Sequence, residues 1–117
     1  MKIHRIDTNK RLSAAVSFDN FVFLSGQVAT TLDGDFRTQT KEVLEKIDSL
    51  LDKAGSSKYY ILSAQIWIKN IEKDFDAFNK LWEAWLPDEC APARAAVEAN
   101  LARPNVLVEV ALIAAKR

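Results

Sequence analysis

The chain has 117 residues, of which 49% are hydrophobic and 27% are charged, and its formal net charge is zero. This length and composition are typical of one globular domain, which we predict to span residues 1–117. Balanced charge provides no basic surface for nucleic acid, and no apolar run is long enough to cross a membrane, so we expect neither partner. The single cysteine, Cys90, excludes an internal disulfide. Because the N-terminus also has no signal-peptide pattern, we expect a cytoplasmic protein.

The first quarter of the chain has the patterns of β-strands. Residues 1–7 alternate loosely and suit an edge strand, and residues 12–18 and 21–24 predict a hairpin that turns at Asp19-Asn20. Ser25-Gly26 ends the second strand of this hairpin. A glycine there either takes an unusual backbone conformation or lets another group approach closely.

A helical period begins near residue 35 and continues to residue 54. Its apolar positions fall on one stripe: Val43, Leu44, Ile47, Leu50, Leu51 and Ala54. The charged residues lie off this stripe and predict a solvated face, on which Glu42 and Lys46 have the spacing of an ion pair. Gly55 is a typical residue to follow the end of a helix.

A further strand and a second helix follow. Residues 61–69 alternate, with Leu62, Ala64, Ile66 and Ile68 predicted to point one way and Ser63, Gln65 and Trp67 the other. Asp74 is the predicted N-cap of the second helix, and Pro87 stops it. The helix has an aromatic and aliphatic stripe typical of a core: Phe75, Phe78, Leu81, Trp82 and Trp85.

The segment from residue 91 to 115 places two charges among apolar neighbours. It reads as two adjacent antiparallel strands joined by a turn near residues 102–105, with Arg94 on the first strand and Glu109 on the second. Arginine can grip a carboxylate through two parallel N–H bonds, and a carboxylate in an apolar strand has a perturbed pKa unless it is partnered. These residues are therefore candidates for an anion clamp and a proton-transfer group. On the two residues alone, a structural ion pair is the favoured interpretation.

Other catalytic chemistries find little support. Cys90 would need an activating base, and the only histidine, His4, is not placed near it by any pattern. No set of His, Cys and carboxylate residues has the spacing of a metal site, so we expect no metal and no cofactor. The order of elements predicts an α+β domain, in which a mixed sheet carries both helices on one face.

Several ordered motifs resemble the RidA/YjgF family of enamine and imine deaminases. They are Ala91-Pro92-Ala93-Arg94, Val97-Glu98-Ala99, Pro104 and Val108-Glu109-Val110, preceded by Ser25-Gly26-Gln27 and by Asn79 ahead of two tryptophans. The resemblance runs from about residue 11 to residue 115. It implies a chorismate-mutase-like fold and a homotrimer whose three clefts lie between subunits.

The resemblance also implies an activity, the hydrolysis of reactive imino acids to 2-oxo acids and ammonia without a cofactor. Arg94 would bind the substrate carboxylate and Glu109 would handle protons and water. The backbone at Ala96 would assist, and Gly26 and Asn79 would line the cleft. Leu12 stands where characterised members carry a tyrosine from the neighbouring subunit, which places activity on 2-aminoacrylate in question. The alternative is a non-enzymatic trimer that binds small carboxylate metabolites in a regulatory role.

Overall fold

The computed structural model describes residues 2–117 and contains one six-stranded sheet with two α-helices on one of its faces. Along the chain the elements are β1 (Ile3–Thr8), β2 (Ser13–Phe18), β3 (Phe21–Gln27), α1 (Phe36–Lys53), β4 (Ile61–Ile68), α2 (Ile71–Trp85), β5 (Ala93–Glu98) and β6 (Val108–Ala115). A short 3₁₀-helix, Lys58–Tyr60, precedes β4. The strand order is β1-β2-β3-β6-β4-β5. Only the β4–β5 pair is parallel, so the predicted mixed α+β architecture is confirmed.

The N-terminal strands form as the sequence predicts. β1 lies at an edge, and β2 and β3 form a hairpin in which Phe18 pairs with Phe21. Asp19 in the turn has a φ of 52°, the left-handed conformation that two-residue hairpin turns require.

The predicted C-terminal hairpin is wrong. β4 lies between β5 and β6, and it pairs in parallel with β5 and antiparallel with β6. Helix α2 provides the crossover that a parallel pair needs, and residues 99–107 then carry the chain past β4 to the centre of the sheet. Strand β6 suits that central position because its alternate residues Val108, Val110, Leu112 and Ala114 are all buried.

Both helices cover the core face of the sheet, and the apolar stripe of α1 is buried there. In α2, Phe78 and Trp82 are buried, whereas Phe75, Leu81 and Trp85 are only partly buried. Helix α1 starts after its N-cap Asp35 and is followed by Gly55, whose φ is 80°. The N-cap of α2 is Asn70 and not Asp74, since the Asn70 side chain accepts a hydrogen bond from the Lys73 N–H. The helix therefore begins directly after β4, one turn earlier than predicted. Among residues 2–117 no helix combines the length and apolarity needed to cross a membrane.

Two predictions about side chains, the burial of Leu62 and the pairing of Glu42 with Lys46, are also wrong. Leu62 is 45% exposed because the register of β4 shifts between Ile61 and Ser63, which turns Ile61 into the core instead. Glu42 and Lys46 do not pair. The Glu42 carboxylate accepts the N–H groups of Thr30 and Thr31, and the Lys46 ammonium donates to the carbonyl of Val28 at 2.9 Å. Both side chains thus fasten the segment that follows β3, which forms one wall of the candidate site.

The face of the sheet opposite the helices is partly apolar and is not covered by residues 2–117. Phe21, Phe23, Val97 and Ile113 are each at least 36% exposed on it. An uncovered apolar surface of this kind is typical of an interface with another chain.

Candidate active site

Glu109 lies on β6 and points to the uncovered face of the sheet, opposite Trp67 of β4. Its side chain is partly buried, and this burial raises its pKa above the usual range for a glutamate. Neither ion pair formed within residues 2–117 involves Glu109. A carboxyl group whose pKa is raised and whose charge is not neutralised by a cation is suited to accept and return a proton near neutral pH.

Gly26 makes room for this carboxyl group. It lies in β3 where the pairing with β6 shifts between Leu24 and Gln27, which is the position of a β-bulge. A Cβ atom at Gly26 would lie only 1.9 Å from Oε2 of Glu109. The absence of a side chain therefore lets the carboxyl rest against the β3 backbone. This is the close approach that the sequence left open as one role for this glycine.

Glu109 opens into a pocket of about 400 Å³. Segments 28–32 and 102–106 form its walls, and Lys46 and Arg103 are the cations that line it. Neither cation was a candidate from the sequence. Lys46 belongs to the charged face of α1, which the sequence predicted to be solvated. Arg103 lies in a segment with neither helical nor strand periodicity. No local pattern identifies either residue, because the pocket is made by segments far apart in the chain.

Arg94 lies on β5 at the edge of the sheet and is held by α2. Its Nη2 donates a hydrogen bond of 2.7 Å to Oδ1 of Asn79, and the guanidinium lies 5.8 Å and 6.0 Å from the ring centroids of Phe75 and Phe78. These contacts are close enough for cation–π attraction. Arg94 is exposed and takes part in no ion pair with another residue of the 2–117 range. The structure thus presents a fixed guanidinium whose remaining N–H groups are free for an anion.

Arg94 and Glu109 do not meet within one chain. Arg94 pairs with Ala64, which faces the helices, whereas Glu109 pairs with Trp67 on the opposite face. The two Cα atoms are two strands and three positions apart, or about 14 Å from the usual strand spacings. The structural ion pair favoured by the sequence is therefore absent from the chain.

The two remaining candidate residues, Ala96 and Leu12, lie in different parts of the sheet. Ala96 lies two residues beyond Arg94 on β5. Leu12 precedes β2 near the opposite edge of the sheet and is 51% exposed. The structure therefore brings together Arg94 with Asn79, and Glu109 with Gly26. Leu12 directly precedes Ser13, whose carbonyl accepts the hydroxyl of Ser25, so it lies beside the strand of Gly26 and away from Arg94.

Comparisons with known proteins show which family this chain resembles. A family model described as endoribonuclease L-PSP matches residues 2–116. A RutC family protein of Haemophilus influenzae is 43% identical over 115 residues, which are 97% of this chain and 98% of that one. The crystal structure of a YjgF family member from Neisseria meningitidis has a TM-score of 0.94 at 40% identity, covering 100% of this chain and 97% of that one. The chain belongs to the RutC/YjgF family. The resemblance inferred from the sequence motifs is thereby confirmed.

One relative of this RutC/YjgF protein has a name that states an activity. The 3-aminoacrylate deaminase RutC of Acinetobacter baylyi is 32% identical over 106 residues, which are 86% of this chain and 82% of that one.

Replacing Gly26 with alanine tests the position of the Glu109 carboxyl in this RutC/YjgF protein. We expect Gly26→Ala to push the carboxyl aside and to lower kcat by about 10- to 100-fold, since catalysis depends steeply on the placement of a proton-transfer group. Stability should change little, because the contact is with the far end of a flexible side chain. Rates of imine hydrolysis and urea midpoints measure the two effects. A variant with unchanged turnover would show that the carboxyl does not act from this position.

Proposed function

We propose that this protein is an enamine/imine deaminase that hydrolyses reactive imino acids to 2-oxo acids and ammonia. The observation that carries the proposal is the separation of Arg94 from Glu109. Each side chain is positioned by its own neighbours, and neither neutralises the other. An anion-binding guanidinium and a proton-transfer carboxyl are therefore both available to a ligand. The name of the Acinetobacter baylyi relative supports this class of reaction.

A complete site on this proposal needs a second copy of the chain. Arg94 and Glu109 lie on opposite faces of the sheet, so a ligand can touch both only where one subunit packs against the next. The exposed apolar side chains on the Glu109 face provide a surface for that packing. We propose a homotrimer with a chorismate-mutase-like arrangement and three clefts, each between two subunits, with Leu12 contributing an apolar wall.

The proposed mechanism uses these groups in a simple order. Arg94, steadied by Asn79, binds the substrate carboxylate through its free N–H groups. The backbone at Ala96 helps to orient the substrate. Glu109 takes a proton from water as the water oxygen bonds to the imine carbon, and it passes this proton to the imine nitrogen to give a carbinolamine. Glu109 then takes the carbinolamine hydroxyl proton and delivers it to the nitrogen as the carbon–nitrogen bond breaks, which releases ammonia and leaves the 2-oxo acid. Because an imine is already electrophilic, positioning and one proton-transfer group suffice.

A non-enzymatic role remains the second candidate. The exposed Arg94 suits a trimer that binds a small carboxylate metabolite and regulates a partner. The raised pKa of Glu109 favours catalysis over this role, because a purely binding site gains nothing from a partly buried carboxyl. An endoribonuclease, the activity in the family model's description, is disfavoured by the net charge of zero.

The test is a coupled assay in which an amino-acid oxidase generates imino acids in the presence of the protein. We expect faster release of ammonia and 2-oxo acid for at least one of several imino acids, and a much smaller acceleration with Arg94→Ala. If no imino acid is hydrolysed faster while carboxylates still bind, the regulatory role replaces the proposal.

Mixed trimers test whether the site lies between subunits. Arg94→Ala and Glu109→Gln are each expected to be strongly impaired, yet a refolded equimolar mixture should recover activity well above that of either variant alone. In a ring each interface joins the same two surfaces, so random mixing restores both groups at about one interface in four. Each variant refolded alone is the control, and light scattering after size exclusion gives the mass. A monomeric mass, or a mixture without recovered activity, would contradict the shared cleft.

A further inference from the structure

Gln39 of α1 is a fully buried polar residue that contacts three separate backbone groups. Its side chain is 0% exposed. Oε1 accepts the N–H of Leu107 at 3.0 Å, and Nε2 donates to the carbonyls of Asn105 at 2.9 Å and Gly34 at 3.3 Å. One amide thus joins the N-terminal end of α1 to the segment that leads into β6.

The segment held by Gln39 is a wall of the Glu109 pocket. Ala102, Arg103 and Val106 of this segment line that pocket, and Leu107 is two positions before Glu109. Lys69 holds the same segment from the other side, since its ammonium donates to the carbonyl of Pro104 and its N–H to that of Leu107. Of these contacts, only those of Gln39 come from a residue that is completely shielded from water.

We propose that Gln39 is a positioning residue of the candidate active site, whose amide fixes the 102–106 wall and thereby limits the access of water to Glu109. The inference rests on the proposed role of Glu109 in proton transfer. Gln39 touches no reacting group, and it acts only through the wall.

The physical argument follows from the cost of unpaired backbone groups. Without the amide, the Asn105 carbonyl and the Leu107 N–H lose a side-chain partner that is itself fully buried. Water can replace this partner only by entering the buried space beside residue 39, which requires the segment to move outward. That movement would also hydrate Glu109, and its pKa would fall toward that of an exposed glutamate. A less basic carboxylate is a weaker proton acceptor at neutral pH.

Gln39→Met tests the inference, because methionine keeps the length of the side chain but has no amide. We expect the Glu109 carboxyl pKa, followed by carbon-13 NMR titration, to fall. Amide hydrogen exchange in residues 102–107 should become roughly 10- to 100-fold faster, as expected for the loss of two hydrogen bonds. If imine hydrolysis is observed, kcat should fall more than KM rises, since Arg94 is held by Asn79 of α2 and not by the wall.

Thr40→Val is the matched control. Thr40 is the next residue of α1 and is equally buried, but its hydroxyl donates only to the carbonyl of Phe36 within the helix at 2.8 Å. The control should lower the melting temperature without changing the Glu109 pKa or the exchange of residues 102–107. Equal changes in both variants, or a folded Gln39→Met protein with neither change, would overturn the inference.

A second variant covers the case in which Gln39→Met does not fold. Gln39→Glu keeps an acceptor for the Leu107 N–H but, once ionised, has no donor for the Asn105 carbonyl, so faster exchange of residues 102–107 is expected and is the readout for this variant. Both the pKa and the exchange readouts are independent of turnover. A protein that hydrolyses no imine would refute the proposed function, and the NMR and exchange data would still decide on Gln39.

Discussion

Glu109→Gln is expected to lower kcat for imine hydrolysis by about a hundred- to ten-thousand-fold, the usual effect of losing a proton-transfer group. The amide has nearly the size of the carboxyl, so it still fits against Gly26. Affinity for a carboxylate product should change little, because Arg94 provides that contact from a different element. Steady-state kinetics and product-binding calorimetry measure the two quantities separately.

Glu83→Gln is the control for this substitution, since Glu83 is an exposed residue of α2 outside the candidate site. The control should retain full turnover. Unaltered turnover in Glu109→Gln itself would remove Glu109 from the mechanism, whatever its raised pKa. A loss of folding in Glu109→Gln would mean that the carboxyl stabilises the protein or its assembly.

Arg94→Lys is expected to be nearly as damaging as Arg94→Ala, with kcat/KM reduced about 10- to 100-fold in both. A lysine ammonium is a point charge and cannot form two parallel hydrogen bonds with a carboxylate while also donating to Asn79. The surrounding aromatic contacts favour the planar guanidinium as well. Rates at several substrate concentrations, together with the affinity for a 2-oxo acid, provide the measurement.

Arg37→Lys provides the matched control, because Arg37 is an exposed arginine at the start of α1. It should behave as the wild type. Retention of most activity in Arg94→Lys would show that Arg94 acts only as a charge. Dissociation of the assembly in either Arg94 variant would instead indicate that Arg94 and Glu109 form an ion pair between subunits.

Local patterns in the sequence determined most of the elements and the faces they present. The turn at Asp19-Asn20 and the helix that Gly55 follows both depend on residues a few positions apart, and both are confirmed. Gly26 and Glu109 were singled out separately because their residue types are unusual for their neighbours. Their direct contact became visible only in the folded chain.

Competition between partners explains the local predictions that failed. Asn70 and Asp74 are both residue types that are favourable as N-caps. Asn70 is the N-cap because α2 begins directly after β4. Glu42 and Lys46 have the spacing of a helical pair, but the backbone groups of residues 28–31 bind them instead. Spacing shows which contacts are possible, whereas the folded chain selects among them.

Only the tertiary structure decided which strands pair and which charges meet. A strand's periodicity specifies its buried face but not its neighbour, so β5 and β6 looked like a hairpin although β4 lies between them. With β4 between β5 and β6, Arg94 and Glu109 lie on opposite faces of the sheet, and the ion pair that the sequence favoured does not form. The role of Gln39 was equally hidden, since its partners Asn105 and Leu107 are far from it in sequence. The sequence by itself therefore determined the family, the elements and the candidate groups, and long-range packing decided their arrangement because neighbouring residues carry no information about distant partners.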